Sequence, residues 1–199
     1  MPQPAHAGTT LFLKRWLRRP FAMGSVVPSG RLLAEEMARA TLAALGTRQG
    51  SVVELGAGTG EVTKALLAAG IPPRRLALVE RDPELATFLR RHFPGLQIVE
   101  GDAARLPRLV GDHGLAPVAA VVSSLPLLSL PAEVVSGIVG GVFEVLPSGS
   151  PLVQFTYGPK PPVPRGLRER LRLVGTHGKR VWRNVPPAIV WTFRRSAAS

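Results

Sequence analysis

The chain has 199 residues, 45% of them hydrophobic and 19% charged, which suits one globular domain and excludes a disordered chain. It contains no cysteine, so disulfides and thiolate metal sites are excluded. Its net charge of +12 points to polyanionic partners, nucleic acid or an anionic membrane, with a plain solvated basic face as the alternative.

Residues 1–9 read as a flexible tail. Residues 10–19 (TLFLKRWLRR) then form a short amphipathic helix that Pro20 closes. Phe12, Leu13, Trp16 and Leu17 fall on one face and Lys14, Arg15 and Arg18 on the other, with Arg19 off the pattern. These cations also interrupt the apolar stretch, which argues against a signal peptide. A helix of this kind lies in the surface of an anionic bilayer, or packs on the domain's own surface. We therefore divide the chain into 1–24, a tail with a membrane-binding helix, and 25–199, the enzymatic domain.

From there strand and helix patterns alternate. Ser29 can cap a helix that runs to Leu45 and stops at Gly46. Strands are expected at 51–55, 75–80, 96–100, 118–123 and 151–156. Helices are expected at 61–69, from Pro83 behind an Asp82 cap, at 103–110 and at 131–146. Such alternation gives a mostly parallel sheet with helices on both faces. Residues 171–182 and 190–194 read instead as an antiparallel strand pair. The apolar region 115–146 is broken by prolines and by Glu133 and Glu144, so a buried strand and helix explain it better than a membrane span. His113 and His177 have no metal or triad spacing and read as loop residues, while His92 reads as a helix C-terminus.

The strongest motif is Glu54-Leu55-Gly56-Ala57-Gly58-Thr59-Gly60, where the first strand turns into a helix. Glycines there allow a tight turn and close approach of a ligand to the backbone. The spacing G-x-G-x-G differs from the dinucleotide fingerprint. Glu54, at the strand end, is expected to face the ligand crevice. Glu80 ends the second strand 24 residues after Gly56, where a carboxylate can accept both hydroxyls of a ribose. The competing role for Glu80 is a surface pair with Arg81. After the third strand, Asp102 can take an adenine amino group and the Ala103 N–H a ring nitrogen, or Asp102 can simply cap a helix.

In their order and spacing, ELGAGTG, LVERDPE and VEGDA resemble the class I methyltransferases that bind S-adenosylmethionine. The resemblance implies an α/β, Rossmann-like sheet of about seven strands with the last pair antiparallel. It also implies Glu54 near the methionine end, Gly56, Ala57, Gly58 and Gly60 near the sulfonium, and Glu80 on the ribose. Arg81, Asp102, Ala103 and Ser123 complete the expected cofactor contacts, and S-adenosylhomocysteine is the expected product.

Substrate class rests on other segments. The adenine dimethyltransferases of ribosomal RNA carry Asn-Leu-Pro-Tyr/Phe after the fourth strand. This chain has Ser124-Leu125-Pro126-Leu127, without the amide or the aromatic ring that would stack on a flipped base. SSLPLLSLP, QFTYGPKPPVP and GSVVPSGRLLAEEM instead resemble the bacterial phosphatidylethanolamine N-methyltransferases. That resemblance implies stepwise methylation of the headgroup amine, towards phosphatidylcholine. Ser124 and the carbonyls around Leu125 would orient the amine, and Tyr157 would face the methylated ammonium. Ser29 at a helix start, with Arg31, Lys179 and Arg180, would take the lipid phosphate. The expected setting is the cytoplasmic face of the cell membrane, with anionic lipids favoured, no nucleic acid partner and a monomeric enzyme. The alternative is a methyltransferase resembling the ribosomal RNA adenine enzymes.

Overall fold

Hydrophobic residues at almost every position of VVEL, LALVE and VAAVVS leave no solvent-facing side, which requires cover on both faces. The computed structural model describes residues 28–157, 160–182 and 187–196, and the side chains of Ser29 and Lys179 lie outside the description. The expected membrane helix, with Phe12, Lys14, Arg15, Trp16, Leu17, Arg18 and Arg19, lies outside the described residues.

Among the described residues, α1 spans Pro28–Leu45 and leads into β1, Ser51–Leu55. There follow α2 (Glu61–Ala68), β2 (Leu76–Glu80), α3 (Pro83–His92) and β3 (Gln97–Glu100). Next come α4 (Leu106–Asp112), β4 (Val118–Ser123), α5 (Ala132–Val145) and β5 (Leu152–Thr156). The described elements close with α6 (Arg165–Arg170), β6 (Leu173–Val181) and β7 (Ala188–Arg195). The α1 helix includes Pro28, so Ser29 lies inside its first turn and does not precede it as a cap. His177, expected in a loop, is in β6 opposite Trp191, within the strand expected over 171–182, and a bulge follows it before Arg180. His92 does end α3.

The strands form one seven-stranded sheet in the order β3-β2-β1-β4-β5-β7-β6. Pairing is parallel from β3 through β5, and β7 runs antiparallel to both β5 and β6. Two apolar layers cover the sheet. One, on the α1–α3 side, includes Leu33, Met37, Leu66, Leu78 and Leu89. The other, on the α4–α5 side, includes Leu55, Leu106, Ile138, Phe143 and Phe193. Side-chain alternation assigns each strand residue to a layer, so Val52 and Glu54 share one face of β1 while Val53 and Leu55 share the other.

The chain leaves β1 for β2 on one side, while β4 lies on the other. The reversal of strand order thus falls between β1 and β4, where open α/β sheets bind ligands beyond the carboxyl ends of the strands.

Candidate active site

Local backbone geometry builds the crevice. Gly56, Gly58 and Gly60 have φ values of 68°, 58° and 80°, the left-handed region that residues with a Cβ avoid. Gly56 leaves β1 and donates to the Val79 carbonyl at 2.8 Å, which ties the turn to β2. A Cβ on Gly56 would stand 2.6 Å from Leu125 Cδ2, so the loop after β4 lies directly against this turn. Gly60 then caps α2.

Glu80 is 3% exposed, at the end of β2. Its Oε2 accepts the Gly58 N–H at 3.0 Å and its Oε1 the Asp82 N–H at 2.9 Å. The carboxylate is therefore aimed by the glycine turn itself, and each oxygen keeps lone-pair capacity for a further donor. Arg81, beside it, reaches Asp102 Oδ2 at 3.5 Å. Asp102 also accepts the Ala104 N–H at 3.0 Å, capping a short 3-10 turn over Ala103–Arg105 in which Ala103 is buried. The capping role is thus present, and the side chain remains half exposed at the same edge.

Glu54 is fully buried. Its Oε2 accepts the Thr63 hydroxyl of α2 at 2.7 Å, and its Oε1 has no partner. Burial pushes this carboxyl up to about 8; the negative Glu80 adds to the rise and the Thr63 hydroxyl opposes it. At neutral pH the side chain is thus mostly an acid, not the carboxylate that its place beside the turn suggested. A neutral buried acid with an orphan oxygen suits a site that awaits a cation.

On the far side of the turn, Ser123 stands opposite Leu55 in the parallel register of β1 and β4. The Ser124 N–H donates to the Leu55 carbonyl at 2.9 Å, and Ser124 Oγ is buried without a partner. The Leu125 carbonyl accepts Gln154 Nε2 at 2.9 Å. Gln154 is fully buried on β5, opposite Ser123 and beside Trp191 on β7. The same amide nitrogen also donates to the Phe155 carbonyl at 2.9 Å. Two carbonyl partners identify the NH2 end, so the unpartnered atom is Oε1. Thr63 and Gln154 were not singled out from the sequence. Thr63 falls on the buried face of an apolar helix, and Gln154 sits inside a strand pattern, so neither has a motif to mark it.

Tyr157 follows β5 at the same edge of the sheet and is 44% exposed, so it is not a core residue. Its ring packs edge-on against Phe155 with centroids 5.1 Å apart, and partial burial raises its phenol. Arg31 lies in the first turn of α1 and pairs with Glu35 at 2.8 Å. Arg180 stacks over Trp182 with its guanidinium carbon 4.8 Å from the ring centroid. Gly58 and Glu80, Gly56 and Leu125, and Ser124 and Leu55 are thus tied together at the carboxyl edge of the sheet between β1 and β4, where Glu54 and Ser123 stand at the strand ends and Asp102 and Tyr157 follow β3 and β5. Arg31 and Arg180 occupy the same edge but are engaged on the surface.

A carboxylate fixed by a glycine turn, a buried acid with a free oxygen and a close-approach glycine fit a nucleoside sulfonium. Fold and site together define a class I S-adenosylmethionine-dependent methyltransferase. The chain is 35% identical over 145 residues to the ornithine lipid N-methyltransferase of Singulisphaera acidiphila, covering 70% of this chain and 73% of that protein. It belongs to the same methyltransferase family as that enzyme. The probable ribosomal RNA small subunit methyltransferase A of Haloquadratum walsbyi is 34% identical over 108 residues, 51% of this chain but only 30% of that protein. No family model matches. Among solved structures, the fold is shared with the 1,6-didemethyltoxoflavin-N1-methyltransferase of Burkholderia thailandensis, solved with S-adenosylhomocysteine. That likeness has a TM-score of 0.71 at 17% identity and covers 99% of this chain and 93% of that one. TrmN from Thermus thermophilus gives a TM-score of 0.61 at 17% identity, covering 84% and 53%.

Proposed function

We propose that this enzyme methylates the headgroup amine of a membrane lipid: phosphatidylethanolamine, then its mono- and dimethyl derivatives. The observation that carries the reading is the loop Ser123–Pro126. It lies against the glycine turn, offers small polar and carbonyl groups, and has no aromatic ring there to hold a base. The lipid-methylating relative supports the class of acceptor. Its name also favours a second reading in which the acceptor is the amine of an ornithine lipid.

Glu80 would bind the ribose hydroxyls, Asp102 and the Ala103 N–H the adenine, and Glu54 the cationic methionine end. Bound S-adenosylmethionine supplies an electrophilic methyl on its sulfonium. The acceptor ammonium, with a pKa near ~10.4 by analogy with Lys, must lose a proton before its lone pair is free. Ser124 Oγ, the Leu125 carbonyl and Gln154 Oε1 would accept the amine N–H bonds and aim that lone pair. The proton leaves to water, so the protein contributes mainly orientation. The Tyr157 ring would stabilise the methylated ammonium by ~0.5–2 kcal/mol. Arg31 and Arg180, with Lys179 and Ser29, would meet the phosphate. We place the reaction on the cytoplasmic face of the membrane.

Vesicles of phosphatidylethanolamine, vesicles of ornithine lipid and ribosomal RNA, each offered with methyl-labelled S-adenosylmethionine, test this. We expect mono-, di- and trimethylated phosphatidylethanolamine on a chromatogram. Label confined to ornithine lipid would replace the acceptor, and label confined to RNA would refute the lipid reading. In the same assay Gln154→Leu, which frees the Leu125 carbonyl, should lower kcat by roughly 10- to 100-fold through lost orientation. Its affinity for S-adenosylhomocysteine should stay unchanged; a parallel loss of cofactor binding would mean Gln154 only supports the fold.

A further inference from the structure

Four large apolar side chains stand exposed among the described residues: Leu128 at 56%, Tyr157 at 44%, Val174 at 57% and Trp182 at 69%. Three of them share one edge of the sheet. Leu128 is in the turn that follows β4, Tyr157 follows β5, and Trp182 follows β6. Thr156 pairs with Ile189 and Val181 with Ala188, so β5 and β6 end level with each other. That is the edge where β1 and β4 open into the crevice. Val174 pairs with Arg194 and lies at the opposite edge.

The α1 helix fits the same orientation. Arg194, at the far edge, donates to the Ala44 carbonyl at 3.1 Å near the helix C-terminus. Leu32, near its N-terminus, lines a groove with Val181 and Trp182. The α1 start and its Arg31 therefore border the crevice edge as well. Strands about 4.8 Å apart put Leu128, Tyr157 and Trp182 along a rim on the order of 14 Å long. The rim has an interfacial character: two amphipathic aromatics, one aliphatic tip and Arg180 stacked on Trp182.

We propose that this rim is a membrane-contact surface, with Leu128, Tyr157 and Trp182 entering the headgroup layer of an anionic bilayer around the crevice mouth. The inference deepens the lipid-methylating reading and rests on it. A headgroup amine can reach Ser124 without leaving the bilayer only if the crevice edge faces the lipid. The net charge of +12 favours the anionic surface. This contact is additional to any made by residues 1–24.

The chain has three tryptophans, at positions 16, 182 and 191, and Trp191 is buried. A full-length Trp16→Phe variant therefore reports on Trp182 above a constant background. It would be mixed with phosphatidylcholine–phosphatidylglycerol vesicles, with or without brominated acyl chains, lacking any amine lipid and any cofactor. We expect brominated vesicles to quench the emission, and that quenching to vanish in Trp16→Phe/Trp182→Phe. A reporter at the opposite edge, Val174→Trp in that double variant, should not be quenched. Failure to bind the vesicles, binding without quenching at Trp182, or equal quenching at position 174 would each overturn the rim. Methylated phosphatidylethanolamine with Trp182 unquenched would sink the rim alone. Quenching at Trp182 with no methylated lipid would sink the acceptor reading and leave the surface standing.

Discussion

Replacing Glu80 by alanine is expected to weaken binding of S-adenosylhomocysteine by at least about a hundredfold. Two bonds from ribose hydroxyls to a carboxylate contribute ~1.5–3 kcal/mol each, or roughly 10²- to 10⁴-fold together. The substitution also removes the acceptor of the Gly58 N–H, so the glycine turn keeps only its backbone tie to β2, from Gly56 to Val79. Glu100 provides the internal control. It stands level with Glu80 in the register of β2 and β3, but it is exposed and pairs with Arg90. Glu100→Ala should leave the affinity nearly unchanged. Calorimetric titration of the two variants decides the matter, and equal affinities would remove Glu80 from the site.

Glu54→Gln should change the pH dependence of both binding and stability. In the folded chain burial raises this carboxyl from 4.5 to about 8. Between those two values the folded state retains a proton that the unfolded state has released. Wild-type stability should therefore be greatest below pH 4.5 as far as this group is concerned, fall through the window, and level off above pH 8. The glutamine variant lacks this slope and should unfold at a higher temperature than wild type at pH 8. Binding runs the opposite way. A cationic methionine end favours the ionised carboxyl, so binding expels the proton. Wild-type affinity should climb by up to about tenfold per pH unit from pH 6 towards 8. Glu54→Gln should show a flat, weaker profile. A flat wild-type profile would mean that Glu54 does not meet the cofactor's cation.

How far the sequence disclosed this site follows from the range of the interactions. The β1 turn was legible because a buried strand, three spaced glycines and the opening of α2 lie within a dozen residues. Glu80 was legible because its place is set by a strand end, at a fixed distance from that turn. The antiparallel pairing of the last two strands was legible from the tail pattern and from the resemblance, but the insertion of β7 between β5 and β6 depends on pairings between distant segments and was not foretold. Gln154 holds the carbonyl of a residue 29 positions away, so no local pattern could announce it. The charge state of Glu54 likewise depends on the packing of α2 against β1. His177 was read as a loop residue although the strand expected over 171–182 contains it, and the structure places it in that strand, opposite Trp191 and just before a bulge.

The reaction class, the roles of Glu80 and Glu54 and the direction of methyl transfer all depend on occupancy of the crevice beside Gly56. Titrating the full-length wild-type chain with S-adenosylhomocysteine in a calorimeter tests that dependence most directly. Saturable heat with one site per chain is the expected result. A folded chain that binds neither this nucleoside nor S-adenosylmethionine would contradict it.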